Sequence, residues 1–270
     1  MIDTVQAVQR QSAIGRFGSR MKSRGTGLLG IVAFIVLWEL YCRTLGRSFD
    51  TIASTTEIVG ALRDLLIDGP LLEQLAHTIR VTLLGWIMAA GIGGACGLVL
   101  GLWRPAHNFA MASVEILRAI PSIAFIPIAL MIFGFSVSME LAIVVYVSQW
   151  PVLMGVLGGV KTVHAQIEDV GRTFRLTRRA TVLKIVIPSA MPSIMVGLRL
   201  SLTLCVAMAV VAEMLGNPSG LGFGMVFSQQ AFQPAEVFAY LVVIGLLGWL
   251  LNVLFVRIAS RLMPGHAGAL

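Results

Sequence analysis

Four stretches of the chain are almost free of polar residues: LLGIVAFIVLWELYC from Leu28, GWIMAAGIGGACGLVLGLW from Gly85, LAIVVYVSQWPVLMGVLGGV from Leu141 and AYLVVIGLLGWLLNVLFV from Ala239. Each approaches the twenty or so apolar residues that an α-helix needs to cross about 30 Å of hydrocarbon. Two further apolar stretches are interrupted by prolines and a few charges. The pattern predicts an all-α, polytopic membrane helix bundle. Six transmembrane helices are expected at about 28–45, 79–102, 111–133, 139–160, 189–215 and 236–260. This gives a transmembrane domain over 28–260, with tails at 1–27 and 261–270.

Between the spans the periodicity changes. Ser54-Thr55-Thr56-Glu57 has the spacing of a capping box, and Ile58, Leu62, Leu65 and Leu66 follow at helical intervals up to Gly69-Pro70. A short amphipathic helix is expected there, on the external face. Gly93, Gly97 and Gly101 recur every four residues on the second span, which predicts close helix–helix packing. Between the fourth and fifth spans lies the most polar segment, IEDVGRTFRLTRRATVLKIVIPSAMP at 167–192. Val163, Ile167, Val170 and Phe174 form one apolar stripe in it, with acids early and bases late, as the helix dipole favours.

Composition narrows the class. Hydrophobic residues make up 57% of 270 and charged residues 12%, with a mean hydropathy of +0.88. Soluble domains carry about 25% charged residues, so a soluble bundle is excluded. The net charge of +7 does not indicate nucleic acid, because the bases cluster between spans. Cys42, Cys96 and Cys205 each sit alone in an apolar run and read as packed hydrophobes. The four histidines, His77, His107, His164 and His266, are too far apart to suggest a metal site. Residues 1–27 carry five bases ahead of an apolar run, but no small-residue cleavage site follows, so an uncleaved first span is expected. Lys and Arg concentrate in the tails, the 103–110 turn and the 161–188 loop. Both termini and that loop are therefore expected in the cytoplasm.

The basic loop has three readings from its residues: a lipid-headgroup anchor, a plain positive-inside signal, or a docking helix for a cytoplasmic partner. Its second half, with Ile185, Ile187 and Pro188, resembles the cytoplasmic loop of ABC importer permeases. The Glu-Ala-Ala positions of that pattern fall on Asp169, Val170 and Gly171, and its Gly on Arg175, where this chain departs. RAIPSIAFIPIALMIFGFS from Arg118, PSAMPSIMVGLRLSLTLCVAMAVVAEMLG from Pro188 and SGLGFGM from Ser219 are similar to segments of permeases for sulfonate, taurine and nitrate. The match runs from about residue 75 to the end.

The resemblance implies a type I ABC importer permease subunit in a bacterial inner membrane, taking up a small anionic solute such as a sulfonate, taurine or nitrate. It implies a second permease copy, two cytoplasmic ATP-binding subunits and an external solute-binding protein. It places ATPase coupling on Ile167, Glu168, Asp169, Val170, Gly171, Phe174, Arg175 and Pro188. No G-x-x-x-x-G-K-[ST] loop occurs, so ATP and Mg²⁺ belong to the partner subunits, and no catalytic or metal-binding residue is expected here. Membrane charges need a reason, since each costs about 2.5–3.5 kcal/mol at a helix centre. Glu115 and Arg118 are spaced to pair. Arg199 and Glu213, with the helix-interrupting Pro121 and Pro127, are candidate pathway residues, and Pro151 is a third break. Gly216, Gly220, Gly222 and Gly224 suggest a flexible external segment. An ion-gradient transporter and a non-transporting scaffold remain as alternatives. The first would need an intramembrane acid, for which Glu115 and Glu213 are the candidates.

Overall fold

A computed structural model describes residues 29–44, 51–173 and 177–262. The described residues are helical, without strands. Helix α1 covers 29–44 and α2 Thr55–Ile67. Then come α3 (Leu71–Leu102), α4 (Arg104–Ala119), a 3₁₀ turn (Ser122–Phe125) and α5 (Ile126–Phe133). Helix α6 (Val137–Thr173) is followed by α7 (Arg178–Thr181), a π-turn (Val182–Val186), α8 (Ile187–Gly216), α9 (Leu221–Gln230) and α10 (Pro234–Leu262). Four described helical segments are long and apolar enough to cross a membrane: Leu71–Leu102, Val137–Thr162, Arg179–Gly216 and Pro234–Arg261. Counted as one broken span, the bent α4–α5 pair brings the number to five, and α1 is a shorter apolar helix of 16 described residues.

Helix α6 is central, with α3 against one side and α8 against the other. The glycine stripe explains the first contact. A Cβ on Gly97 would come within 2.8 Å of the Leu153 carbonyl oxygen, and one on Gly101 within 2.7 Å of Val160. Gly85 belongs to the same seam, against Val144. Between α6 and α8, a Cβ on Gly155 would meet the Gly197 Cα at 3.0 Å, so the two backbones touch. Hydroxyls tie this contact: Ser193 Oγ donates to the Gly155 carbonyl at 2.9 Å and Ser201 Oγ to the Ser148 carbonyl at 2.7 Å. Serine hydroxyls hydrogen-bonded across helices are well suited to a medium without water.

Helix α2 forms as its sequence suggests. Ser54 caps it, its N–H donating to the Glu57 carboxylate at 2.7 Å while its hydroxyl accepts from the Glu57 N–H. That Ser54 N–H, followed by the Ser54 hydroxyl, holds the Glu57 carboxyl below the usual carboxylate range. Glu39 of α1 accepts from the Thr56 hydroxyl at 3.0 Å, and Trp38 packs on Phe238 of α10.

Three expectations are corrected. The span expected at 111–133 is two helices meeting at 91°. Pro121 causes the break, because it lacks an N–H for the Leu117 carbonyl and forces Ile120 into extended backbone (φ −66°, ψ 125°). The second span begins at Leu71 rather than near 79, since Pro70 starts a helix as readily as it ends one. The glycine-rich 216–224 segment is not a loose linker. Gly222 and Gly224 are buried in α9, Gly222 against the Val210 carbonyl and Gly224 against Tyr240.

Candidate translocation groove and coupling segment

The broken helix shapes the first site. The Tyr146 hydroxyl donates to the Leu117 carbonyl at 2.8 Å, replacing the donor that Pro121 cannot supply. Phe125 stacks on Tyr146 at 4.4 Å between centroids, and Tyr146 meets Trp150 edge-on at 5.9 Å. Tyr146, Trp150 and the break border an open groove of about 570 Å³ whose lining includes Arg118, Pro121, Ser122, Tyr146, Trp150 and Leu200. Glu115 and Arg118 do not form an ion pair, contrary to their spacing; among the described residues no carboxylate pairs with Arg118.

A second groove of about 660 Å³ flanks the other side of Leu200, with Arg199, Thr203, Trp249 and Asn252 in its wall. The Arg199 guanidinium donates to Asn252 Oδ1 at 2.9 Å, which fixes α8 to α10. Pro121 and Arg199 thus line separate grooves. Pro127 lines neither. It sits in the first turn of α5, where its missing N–H leaves no helical bond unmade. Glu213 lines neither as well. It is 1% exposed and accepts from the Gly222 N–H at 2.9 Å, with its carboxyl against Gly220, whose φ of +91° only glycine adopts freely.

Glu213 belongs to a buried polar cluster that the sequence did not reveal. Glu140, fully buried near the start of α6, bonds His77 Nε2 at 2.9 Å and accepts from the Asn217 side-chain amide at 2.6 Å. Thr78 accepts from the Leu221 N–H at 3.0 Å. The cluster joins α3, α6, α8 and α9. Its one sequence signal was the acid Glu140 beside an apolar run; its partners lie 63 and 77 residues away.

At the opposite end, α6 continues past its apolar span at Thr162 and remains helical to Thr173. Ile167, Glu168, Asp169, Val170 and Gly171 therefore lie on one continuous helix rather than on a separate loop helix. Nothing between Lys161 and Thr173 breaks a helix, and a single Gly is tolerated. Phe174 and Arg175 lie outside the described residues. Pro188 is exposed in the first turn of α8. Lys161 Nζ and His107 Nε2, 2.7 Å apart, join α6 to the start of α4 where α6 leaves its apolar span.

A central helix flanked by two glycine-packed partners, with a proline-broken span beside it and a helical extension beyond the apolar zone, is the architecture of a multi-pass transport component. Residues 82–266 match the family described as binding-protein-dependent transport system inner membrane component, and the chain belongs to that family. Over 256 residues it is 28% identical to the putative aliphatic sulfonates transport permease protein SsuC of Bacillus subtilis (strain 168), covering 95% of this chain and 91% of that one. It is 29% identical over 245 residues to the nitrate import permease protein NrtB of Leptolyngbya laminosa, with 86% of each covered. Its fold is similar to that of a chain from the inward-facing MetNI methionine ABC transporter, with a TM-score of 0.62 and 19% identity over 71% of this chain and 95% of that one. The chain is thus an ABC transporter permease of the inner membrane, a transport component rather than an enzyme.

Proposed function

We propose that two copies of this chain form the pathway of an importer for a small anionic solute, delivered by an external binding protein. Two cytoplasmic ATP-binding subunits, which carry ATP and Mg²⁺, drive it. Both termini face the cytoplasm in this reading. The observation that carries the coupling is the α6 extension. The eleven residues that follow Thr162, up to Thr173, at about 1.5 Å each, project the helix about 16 Å beyond its apolar span. An extension of that length reaches a soluble partner. Ile167, Glu168, Asp169, Val170 and Gly171 lie on it, Phe174 and Arg175 follow, and Pro188 begins the return helix. The anionic class is supported by the sulfonate and nitrate named for the relatives and by Arg118 and Arg199 in the groove walls; Pro121 supports the pathway by opening the helix beside Arg118. Glu213 and Pro127 support the pathway from behind, through α9 and α5.

Copurification tests the coupling. The native chain coexpressed with its ATP-binding subunit is expected to retain it, and Gly171→Glu with Phe174→Asp to lose it while inserting normally. Equal retention by both would place docking elsewhere. Retention by neither would favour the lipid-anchor reading of the basic segment.

A further inference from the structure

The geometry points to Arg118 as the anion-binding residue of a mid-membrane site for a small organic anion, the acidic group on its guanidinium and the carbon skeleton against Tyr146 and Trp150. The choice of an anion rests on the importer reading above; the site itself rests on three features of the groove. First, Tyr146 and Trp150 are residues 10 and 14 of the 26-residue apolar span Val137–Thr162, so the groove lies near mid-span. Second, Arg118 is exposed there and no carboxylate among the described residues neutralises it. An uncompensated guanidinium at that depth requires water or an anion in front of it. Third, the backbone is broken beside it at Ile120–Pro121, and irregular backbone at membrane depth is tolerated where it lines a water-filled cavity or is buried in protein. The groove is not closed by this chain, since Arg118, Ala119, Ile120 and Pro121 are all exposed.

The ligand class follows from the lining. A guanidinium presents a planar fork that matches the oxygens of a carboxylate, sulfonate or phosphate. Trp150, Met154, Leu200 and Leu204 offer a surface that a fully hydrated inorganic ion cannot use. The Phe125–Tyr146–Trp150 stack fixes that surface, and the Tyr146 hydroxyl is already engaged with Leu117. Arg118 is therefore the cationic group of this lining that can take the acid, while Arg199 in the second groove is held by Asn252.

A thiol at the groove reads its charge without depending on uptake. Ser122, in the lining, is replaced by Cys in a protein whose exposed Cys96 is changed to Ala; the buried Cys42 and Cys205 are kept, and the same protein with Ser122 intact gives the background. The permease is assembled with its ATP-binding subunits in proteoliposomes. Labelling rates are taken with an anionic sulfonatoethyl and a cationic trimethylammonioethyl methanethiosulfonate. Arg118→Gln is expected to lower the anionic-to-cationic rate ratio about tenfold and Arg118→Lys to keep most of it. Pentanesulfonate is expected to slow labelling more than sulfate at equal concentration. An unchanged ratio in Arg118→Gln overturns the proposal. So does a thiol unreactive to both reagents, which would place lipid or the second copy over the groove, and so does equal protection by the two ions. ATP-dependent uptake by the unaltered complex with its binding protein tests the importer reading separately. If Ser122→Cys prevents assembly, Arg118→Gln alone is compared with the native protein. A tenfold loss of anion uptake with binding-protein-stimulated ATP hydrolysis retained supports the site, and unaltered uptake overturns it.

Discussion

Gly93 and Gly94 are neighbours on α3, and the same substitution is expected to have opposite effects at the two. An added Cβ on Gly93 would run into the Gln149 carbonyl oxygen and come within 3.0 Å of Val152 Cβ and 3.2 Å of the Leu153 nitrogen. These are backbone atoms and a β-branched carbon, none of which can swing aside. Relief requires α3 to lift from α6 by on the order of 1 Å, in a seam packed as closely as a crystal. Overpacking of this kind costs about 1–3 kcal/mol. The gain in helix propensity on going from Gly to Ala returns about 0.8–1 kcal/mol. Gly93→Ala is therefore expected to lose up to about 2 kcal/mol. A Cβ on Gly94 meets nothing within 4 Å. Gly94→Ala should keep the propensity term and be neutral or stabilised by up to about 1 kcal/mol. The assay is thermal loss of the monodisperse peak of detergent-solubilised protein, with SDS titration as a check. Native, Gly93→Ala and Gly94→Ala should separate in the order Gly94→Ala, native, Gly93→Ala. If both variants shift the same way by the same amount, the α3–α6 seam is looser than described and the packing argument fails.

Three further outcomes are expected. Ser54→Ala should destabilise α2 by about 1 kcal/mol, read as faster proteolysis or hydrogen exchange of 55–67. Because the Glu57 carboxyl is held below the ordinary carboxylate value, the stabilisation from this capping box is complete above that ordinary value and is lost as pH falls through the lowered one; the difference between native protein and Ser54→Ala should shrink in acid. His77→Leu removes one of the two bonds to the fully buried Glu140 and should cost about 1–3 kcal/mol, with part of it recovered by adding Glu140→Gln, measured by the same thermal assay. Gly220→Ala forces a side chain into φ +91° and into the Glu213 carboxyl, and should lower yield of folded protein more than Gly245→Ala, where a Cβ meets nothing within 4 Å.

The parts of this molecule legible in its sequence are those set by local chemistry. Ser54 and Glu57 cap α2 because a capping box closes within four residues. Gly97 and Gly101 mark a seam because spacing by four keeps them on one helical face. The three prolines show where local reading stops. Pro121, Pro127 and Pro151 look alike in the sequence. Pro121 breaks the span, Pro127 sits harmlessly in a first turn, and Pro151 lies inside a continuous α6. The difference is set by neighbours: Tyr146, supplied by another helix, donates to the Leu117 carbonyl in place of the N–H that Pro121 lacks. The buried cluster was hidden for the same reason. Glu140 meets His77 and Asn217 only after α3, α6 and α8 have packed. Gly222 and Gly224 looked like hinges because glycine marks flexible turns and crowded contacts equally well, and only the Val210 carbonyl and Tyr240 distinguish the two. Arg118 looked paired because Glu115 stands at a favourable spacing on the same helix, yet the two side chains form no ion pair.

Helix α6 is 37 residues long, about 56 Å from end to end. Its first turn holds Glu140 in the buried cluster, its middle carries the aromatic stack, and its last turns stand clear of the apolar span. Gripped by glycine seams on two sides, it has the mechanics of a shaft in a fitted bearing, stiff along its axis and unable to absorb a push by local repacking. A displacement applied at Thr173 must therefore arrive at Glu140 and Asn217 with little loss, and the 91° elbow at Pro121, tied to the shaft by the Tyr146–Leu117 bond and the Phe125–Tyr146 stack, is carried along with it.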